Sequence, residues 1–109
     1  MKIKIYMESL AESHIIYLND KKRDHILVDT KKSSFDVDRF VFLVADMSSH
    51  WPSLLEDNSI IDGLTYRVVI KDEIKDKEFI FRNKFPANIY KLSNLVTEIC
   101  EEFKNDKQY

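Results

Sequence analysis

Residues 33–51 read SSFDVDRFVFLVADMSSHW, and this stretch predicts the clearest element of the fold, an amphipathic helix. Ser33 and Asp36 have capping-box spacing, and acidic residues at this end favour the positive end of the helix dipole. Pro52 prevents the helix from continuing unbroken, so we expect it to run from about Asp36 to His50. The apolar side chains recur at helical spacing and form a continuous stripe: Val37, Phe40, Val41, Val44, Met47 and Trp51.

A second amphipathic helix is predicted near the end of the chain. Residues 85–88 read FPAN, and Asn88 is a good N-cap, although Pro86 at the first helical position is an alternative. The apolar stripe of this helix comprises Ile89, Leu92, Val96, Ile99 and Phe103, widened by Leu95 and Cys100.

Strands are predicted on either side of the first helix. Alternating apolar and polar residues over positions 2–7 indicate a half-buried strand. Residues 15–18 and 26–28 are rich in β-formers and lie on either side of a polar stretch, so they predict a hairpin. Residues 53–64 contain turn signals and are predicted to be a loop.

A second hairpin should follow this loop, joined by the charged connection 72–77. Its inward residues are Tyr66, Val68 and Ile70 on one strand and Phe79 and Phe81 on the other. The opposite face should be wet, because it carries Arg67, Lys71, Glu78 and Arg82.

The sequence therefore predicts an α+β fold in the order β-β-β-α-β-β-α. We expect an antiparallel sheet of about five strands, with both helices packed on one face. All 109 residues should form a single domain, with an ordered core over 1–104 and a frayed tail at 105–109.

Composition excludes several classes of protein. With 17 basic and 19 acidic residues and a pI of 5.9, the chain is not basic enough for direct nucleic-acid binding, for which a pI above about 9 is expected. The single cysteine, Cys100, cannot form an intramolecular disulfide. The longest apolar stretch, 40–45, is far below the ~20 residues that span a membrane, and residues 1–7 are too short and too interrupted by lysine to be the apolar region of a signal sequence. We therefore expect a cytoplasmic protein with no membrane contact.

Motifs for catalysis, metal binding or cofactor binding are not found in the sequence. The three histidines lie far apart; His14 and His25 flank the first hairpin as a polar pair, and His50 caps a helix end. Cys100 is expected to be a buried, inert side chain. The one acidic cluster on a loop is Glu56, Asp57 and Asp62, which are most simply solvated, with acid–base catalysis as the alternative.

One pattern resembles a loose set of small bacterial proteins. It covers residues 50–103 and includes Trp51, the pair Asp62-Gly63, the alternating strand from Tyr66, and the step NKFPAN at 83–88. Such proteins share an N-x-(F/Y)-P-x-N step between a hairpin and the last helix. Some similar small acidic proteins are immunity proteins against bacterial toxins, and the resemblance implies that function without assigning any catalytic residue.

The sequence thus predicts a non-enzymatic protein that binds another protein, most concretely an immunity protein that neutralises a toxin by occupying its surface. The second half of the chain carries the excess of carboxylates, which would complement a basic partner. The expected contact residues are Glu56, Asp57, Asp62, Asp72, Glu73 and Asp76. Alternatives are a phage-type inhibitor of a host defence enzyme, a subunit or homodimer joined through the sheet edge, and an enzyme acting through the loop carboxylates.

Overall fold

Strand β1 (Lys2–Glu8) lies at the centre of a mixed sheet, because it pairs along its whole length with two neighbours. In a computed structural model that describes residues 1–19, 25–60 and 63–104, these neighbours are β2 (Ser13–Asn19) and β6 (Thr65–Lys71). The other elements, in chain order, are β3 (Ile26–Val28), β4 (Lys31–Ser33), α1 (Val37–Ser48), β5 (Leu54–Glu56), β7 (Asp76–Arg82) and α2 (Ile89–Glu101).

The strand order is β4-β3-β2-β1-β6-β7-β5. Neighbouring strands are antiparallel except β5 and β7, which are parallel. The prediction of about five antiparallel strands is therefore corrected to seven strands in a mixed sheet within the described residues. Both missed strands, β4 and β5, have three residues, too few to show a repeating pattern, and β5 was predicted as loop. Strand β5 forms because its backbone pairs with β7, which is distant in sequence.

One face of the sheet and both helices enclose the core. The buried side chains alternate along the strands, as at Ile3 and Ile5, and they meet the helical stripes in a single cluster. The helices contribute Phe40, Val44, Met47, Leu92, Leu95, Val96 and Ile99 to it. The predicted α+β architecture with both helices on one face is confirmed.

The start of α1 differs from the predicted capping box. Asp36 is the N-cap, and its Oδ1 accepts hydrogen bonds from the backbone N–H groups of Asp38 (2.9 Å) and Arg39 (3.3 Å). Ser33 lies in β4 instead, and its hydroxyl donates to Glu102 at 2.9 Å. Glu102 also accepts from the backbone N–H of Ser34, so it fastens the end of α2 to the sheet, and these bonds lower the pKa of its carboxyl group.

Asn88 lies at the N-cap position of α2, but its side chain makes no capping hydrogen bond. Its Oδ1 instead accepts from the indole Nε1–H of Trp51 at 2.7 Å, and its Nδ2 donates to the carbonyl of Met47 at 2.9 Å. The Trp51 ring packs edge-on against Phe79 and Phe81, with centroids 5.3 and 5.1 Å away. Asn88 therefore joins the end of α1, the start of α2 and the aromatic part of the core.

Both edges of the sheet are short. Strands β4 and β5 each have three residues, and β4 carries Lys31 and Lys32. Short edges and edge lysines limit pairing with another chain, so the predicted homodimer through the sheet edge would have only a short ladder of hydrogen bonds. The polar stretch between the first two hairpin strands was predicted at 19–24; Asn19 instead ends β2, and residues 20–24 lie outside the described residues, as does the predicted frayed tail at 105–109.

Candidate binding surfaces

The acidic residues predicted as contacts do not form one patch. Glu56 and Asp57 lie at the end of β7 that is marked by Arg82, because β5 runs parallel to β7 and Glu56 pairs with Arg82. The other group, Asp72, Glu73 and Asp76, lies at the opposite end, around the β6–β7 turn. The two groups are a strand length apart, roughly 20 Å at about 3.3 Å per residue. Asp62 lies outside the described residues.

The first of these groups is engaged locally. The Glu56 carboxylate lies 3.7 Å from the Arg82 guanidinium. Asp57 accepts from the hydroxyl of Ser59 at 2.6 Å and from its backbone N–H at 3.0 Å, and these bonds lower the pKa of Asp57. A carboxylate held in this way stays ionised near neutral pH and stabilises the turn that follows β5.

The β6–β7 turn carries an exposed apolar side chain that is flanked in sequence by charged residues. Ile74 is 86% exposed, and Asp72, Glu73 and Asp76 lie beside it in sequence. Three basic residues, Lys71, Lys75 and Lys77, alternate with these acids. The turn therefore has no net charge, and acidic complementarity here is weaker than the sequence suggested.

The outer helix surface, meaning the solvent side of α1 and α2, carries two exposed aromatic residues. Phe42 is 68% exposed on α1 and Tyr90 is 58% exposed on α2. Two ion pairs join the helices, Arg39 with Glu98 and Lys91 with Asp46. Two acidic residues near the end of α2 contact other elements, since Glu98 pairs with Arg39 on α1 and Glu102 binds Ser33 and Ser34. Within these two helices four acidic and two basic residues leave a net charge of −2.

The open sheet face, meaning the side of the sheet away from the helices, is basic and aromatic. Its centre carries Lys2, Lys4, Arg67 and Lys71 with Tyr6 and Tyr17, around a shallow groove of about 240 Å³. The strand register places more basic than acidic side chains on this face, six against four, a net charge of +2: Lys2, Lys4, Lys32, Arg67, Lys71 and Arg82 against Glu8, Glu56, Asp76 and Glu78. Charge is therefore segregated between the two layers of the molecule, although the whole chain carries only −2.

The two tyrosine rings on this face are covered by cations. The Lys4 ammonium lies 5.3 Å from the centroid of the Tyr17 ring, and the Arg67 guanidinium lies 5.3 Å from that of Tyr6. Arg67 also donates to Glu78 at 3.0 Å, which raises the pKa of Arg67. These contacts hold the long basic side chains close to the sheet.

Sequence reasoning missed both layers as candidate surfaces. The alternation of Lys2 and Lys4 and of Arg67 and Lys71 was visible, but it indicated only the wet side of two strands. These residues become one basic area because β1 and β6 are neighbours, a pairing across some 60 residues of chain that a local pattern does not reveal. Phe42 lies beside Val41 and Leu43 in an apolar run, which concealed its exposure.

A cleft of about 450 Å³ opens between α2 and the ends of β1 and β3. Its apolar wall includes Met7, Val96 and Cys100. Burial raises the pKa of the Cys100 thiol to about 11, so the thiol is protonated and a poor nucleophile, as expected for an inert side chain.

His14 lies at the polar end of this cleft, between two carboxylates. Its Nδ1 is 2.7 Å from Asp29 and its Nε2 is 3.2 Å from Glu12. Partial burial opposes the charge, but the two hydrogen bonds outweigh it and raise the pKa of His14 above 6.5. The predicted pairing of His14 with His25 is wrong, because the β2–β3 register places them at opposite ends of the hairpin.

Among the residues that the structure describes, His, Cys, Asp and Glu side chains nowhere come together in a group of three that could hold a metal ion. Neither described helix is long and apolar enough to cross a membrane. No family model, curated protein or solved structure matches the chain.

Proposed function

We propose that this chain is a cytoplasmic, non-enzymatic binding protein, most concretely an immunity protein that neutralises a basic toxin by covering part of its surface. It would act without a cofactor. The observation that supports this function best is the exposure of Phe42 and Tyr90 on a helical layer whose net charge is negative.

Exposed aromatic side chains on rigid helices are suited to anchor an interface. Burying a large aromatic residue in a partner's pocket contributes strongly to affinity, and such residues dominate binding hot spots. Phe42 lies at the middle of α1, and the Asn88 bridge fixes the end of α1 relative to α2. Both anchors are therefore presented by a preformed surface, which lowers the entropy cost of binding.

The charges around these anchors favour a basic partner. Acids exceed bases two to one within α1 and α2, and carboxylates near the rim of an interface accelerate association with a basic protein. The predicted acids at the β6–β7 turn would serve as a second contact, with Ile74 as its apolar centre.

The test uses the product of the adjoining gene as the candidate toxin. Phe42→Ala with Tyr90→Ala should weaken binding by more than about tenfold, measured by calorimetry, and should abolish protection in a growth assay. Asp46→Lys should slow association, most strongly at low salt. Asp72→Lys with Glu73→Lys tests the turn predicted from the sequence.

Ile15→Ala is the matched control, since Ile15 is 48% exposed on the opposite face of the sheet. It should leave affinity and protection unchanged. Undiminished binding by the Phe42/Tyr90 variant and by the Asp72/Glu73 variant would refute the proposed interface.

A further inference from the structure

The basic residues of the open sheet face include a pair that opposes the stability of the fold. Lys2 on β1 lies directly opposite Lys71 on β6 in the antiparallel register. Like charges in directly opposed positions of a sheet destabilise it. Asp76 lies opposite Lys71 on its other side and compensates one of the two charges. An anionic group bound above this pair would relieve the remaining repulsion.

Apolar side chains lie two rows away on the same face, beyond the row that contains Lys4 and Val69. In register across the sheet, the apolar row runs through Ile15, Tyr6, Arg67, Ile80 and Leu54. Its two ends are exposed, Ile15 by 48% and Leu54 by 54%. The face therefore presents a mainly apolar band, interrupted by Arg67, on the same side of the sheet as the lysines, and a complementary ligand carries both apolar and acidic groups.

We propose that the open sheet face binds an acidic, amphipathic segment of a partner protein. Its carboxylates would pair with Lys2, Lys4 and Lys71, and its apolar side chains would cover the band from Ile15 to Leu54. This site is separate from the outer helix surface, because the two lie on opposite sides of the molecule, and it does not depend on the proposed immunity function.

Two other occupants fit this face less well. Single-stranded nucleic acid needs open aromatic rings for base stacking, whereas Lys4 and Arg67 already cover Tyr17 and Tyr6. A second copy placed face to face would bring the same lysines together, and the repulsion would oppose the dimer. An acidic protein segment avoids both difficulties.

The experiment pans random short peptides displayed on phage against the immobilised protein, and then measures binding of the enriched peptides by fluorescence anisotropy. We expect enrichment of Asp and Glu interspersed with aliphatic or aromatic residues. Lys4→Glu with Lys71→Glu should weaken binding of these peptides at least about tenfold, with a smaller difference at high salt.

Lys84→Glu is the matched control, since Lys84 is exposed and lies outside the strands; it should leave peptide affinity nearly unchanged. Phe42→Ala should also have no effect, which separates this site from the outer helix surface. Enrichment of basic or uncharged peptides, or equal binding by the Lys4/Lys71 variant, would overturn the proposal. So would tighter, Lys4-dependent binding of a labelled oligo(dT), which would assign the face to nucleic acid.

Discussion

Replacing Asn88 by alanine tests whether one side chain holds the helical layer to the core. The change removes the hydrogen bonds that Asn88 makes with the Trp51 indole and the Met47 carbonyl. Each bond contributes about 1 kcal/mol net, and leaving a buried partner unsatisfied adds to that loss. Trp51 is 9% exposed, so water reaches its indole poorly. We expect the free energy of unfolding to fall by about 2–3 kcal/mol, a large part of the ~5–15 kcal/mol of a typical domain.

Trp51 provides the assay, because it is the single tryptophan of the chain and lies next to the altered residue. Urea unfolding followed by its fluorescence should show the midpoint falling by about 1–2 M at an unchanged slope. The control is Asn94→Ala, since Asn94 is exposed on α2, and it should change stability by less than about 0.5 kcal/mol. Equal midpoints for the two variants would refute the role given to Asn88.

Two further predictions concern charged groups. His14→Gln should flatten the pH dependence of stability: the raised pKa of His14 stabilises the fold fully below about pH 6.5, and this contribution is lost as the pH rises through the folded-state value. Thermal unfolding of the wild-type protein and the His14→Gln variant between about pH 5.5 and 8.5 tests this prediction. Parallel curves of stability against pH for the two proteins would contradict it. Lys2→Glu should raise the unfolding free energy by about 0.5 kcal/mol, because glutamate would face Lys71 favourably, whereas Lys4→Glu faces Val69 and should not stabilise. Urea unfolding compares the two, and a less stable Lys2→Glu protein would show that the Lys2–Lys71 repulsion is negligible.

The elements with long, regular patterns were predictable from sequence. The helical stripe from Val37 to Met47 and the alternation at Ile3 and Ile5 depend on local burial alone, and both were confirmed. The tripeptide Leu54–Glu56 has no such pattern, and it becomes a strand only because β7 offers it an unpaired edge. Local patterns therefore predicted which residues form the core, but they did not predict the order of the strands.

The candidate surfaces depended on that order and so were only partly predictable. Glu56 and Asp72 were both predicted on exposed connections and were grouped as one contact surface, but they lie at opposite ends of β7. Lys2 and Lys71 belong to the first and the fourth predicted strands, which are far apart in sequence, yet they are directly paired. Asn88 was correctly placed at the helix start, but its hydrogen bonds go to Trp51 and Met47, which no cap statistics would predict.

The described strands carry a net positive charge and the described helices a net negative charge, so these two layers form an electric dipole that the net charge of −2 conceals. In the field of a charged neighbour the protein experiences a torque before any contact is made, so that an anionic surface meets the strands first and a cationic surface meets the helices. The same protein would therefore be retained in two different orientations on cation- and anion-exchange supports. The net charge of the chain alone predicts neither of these orientations.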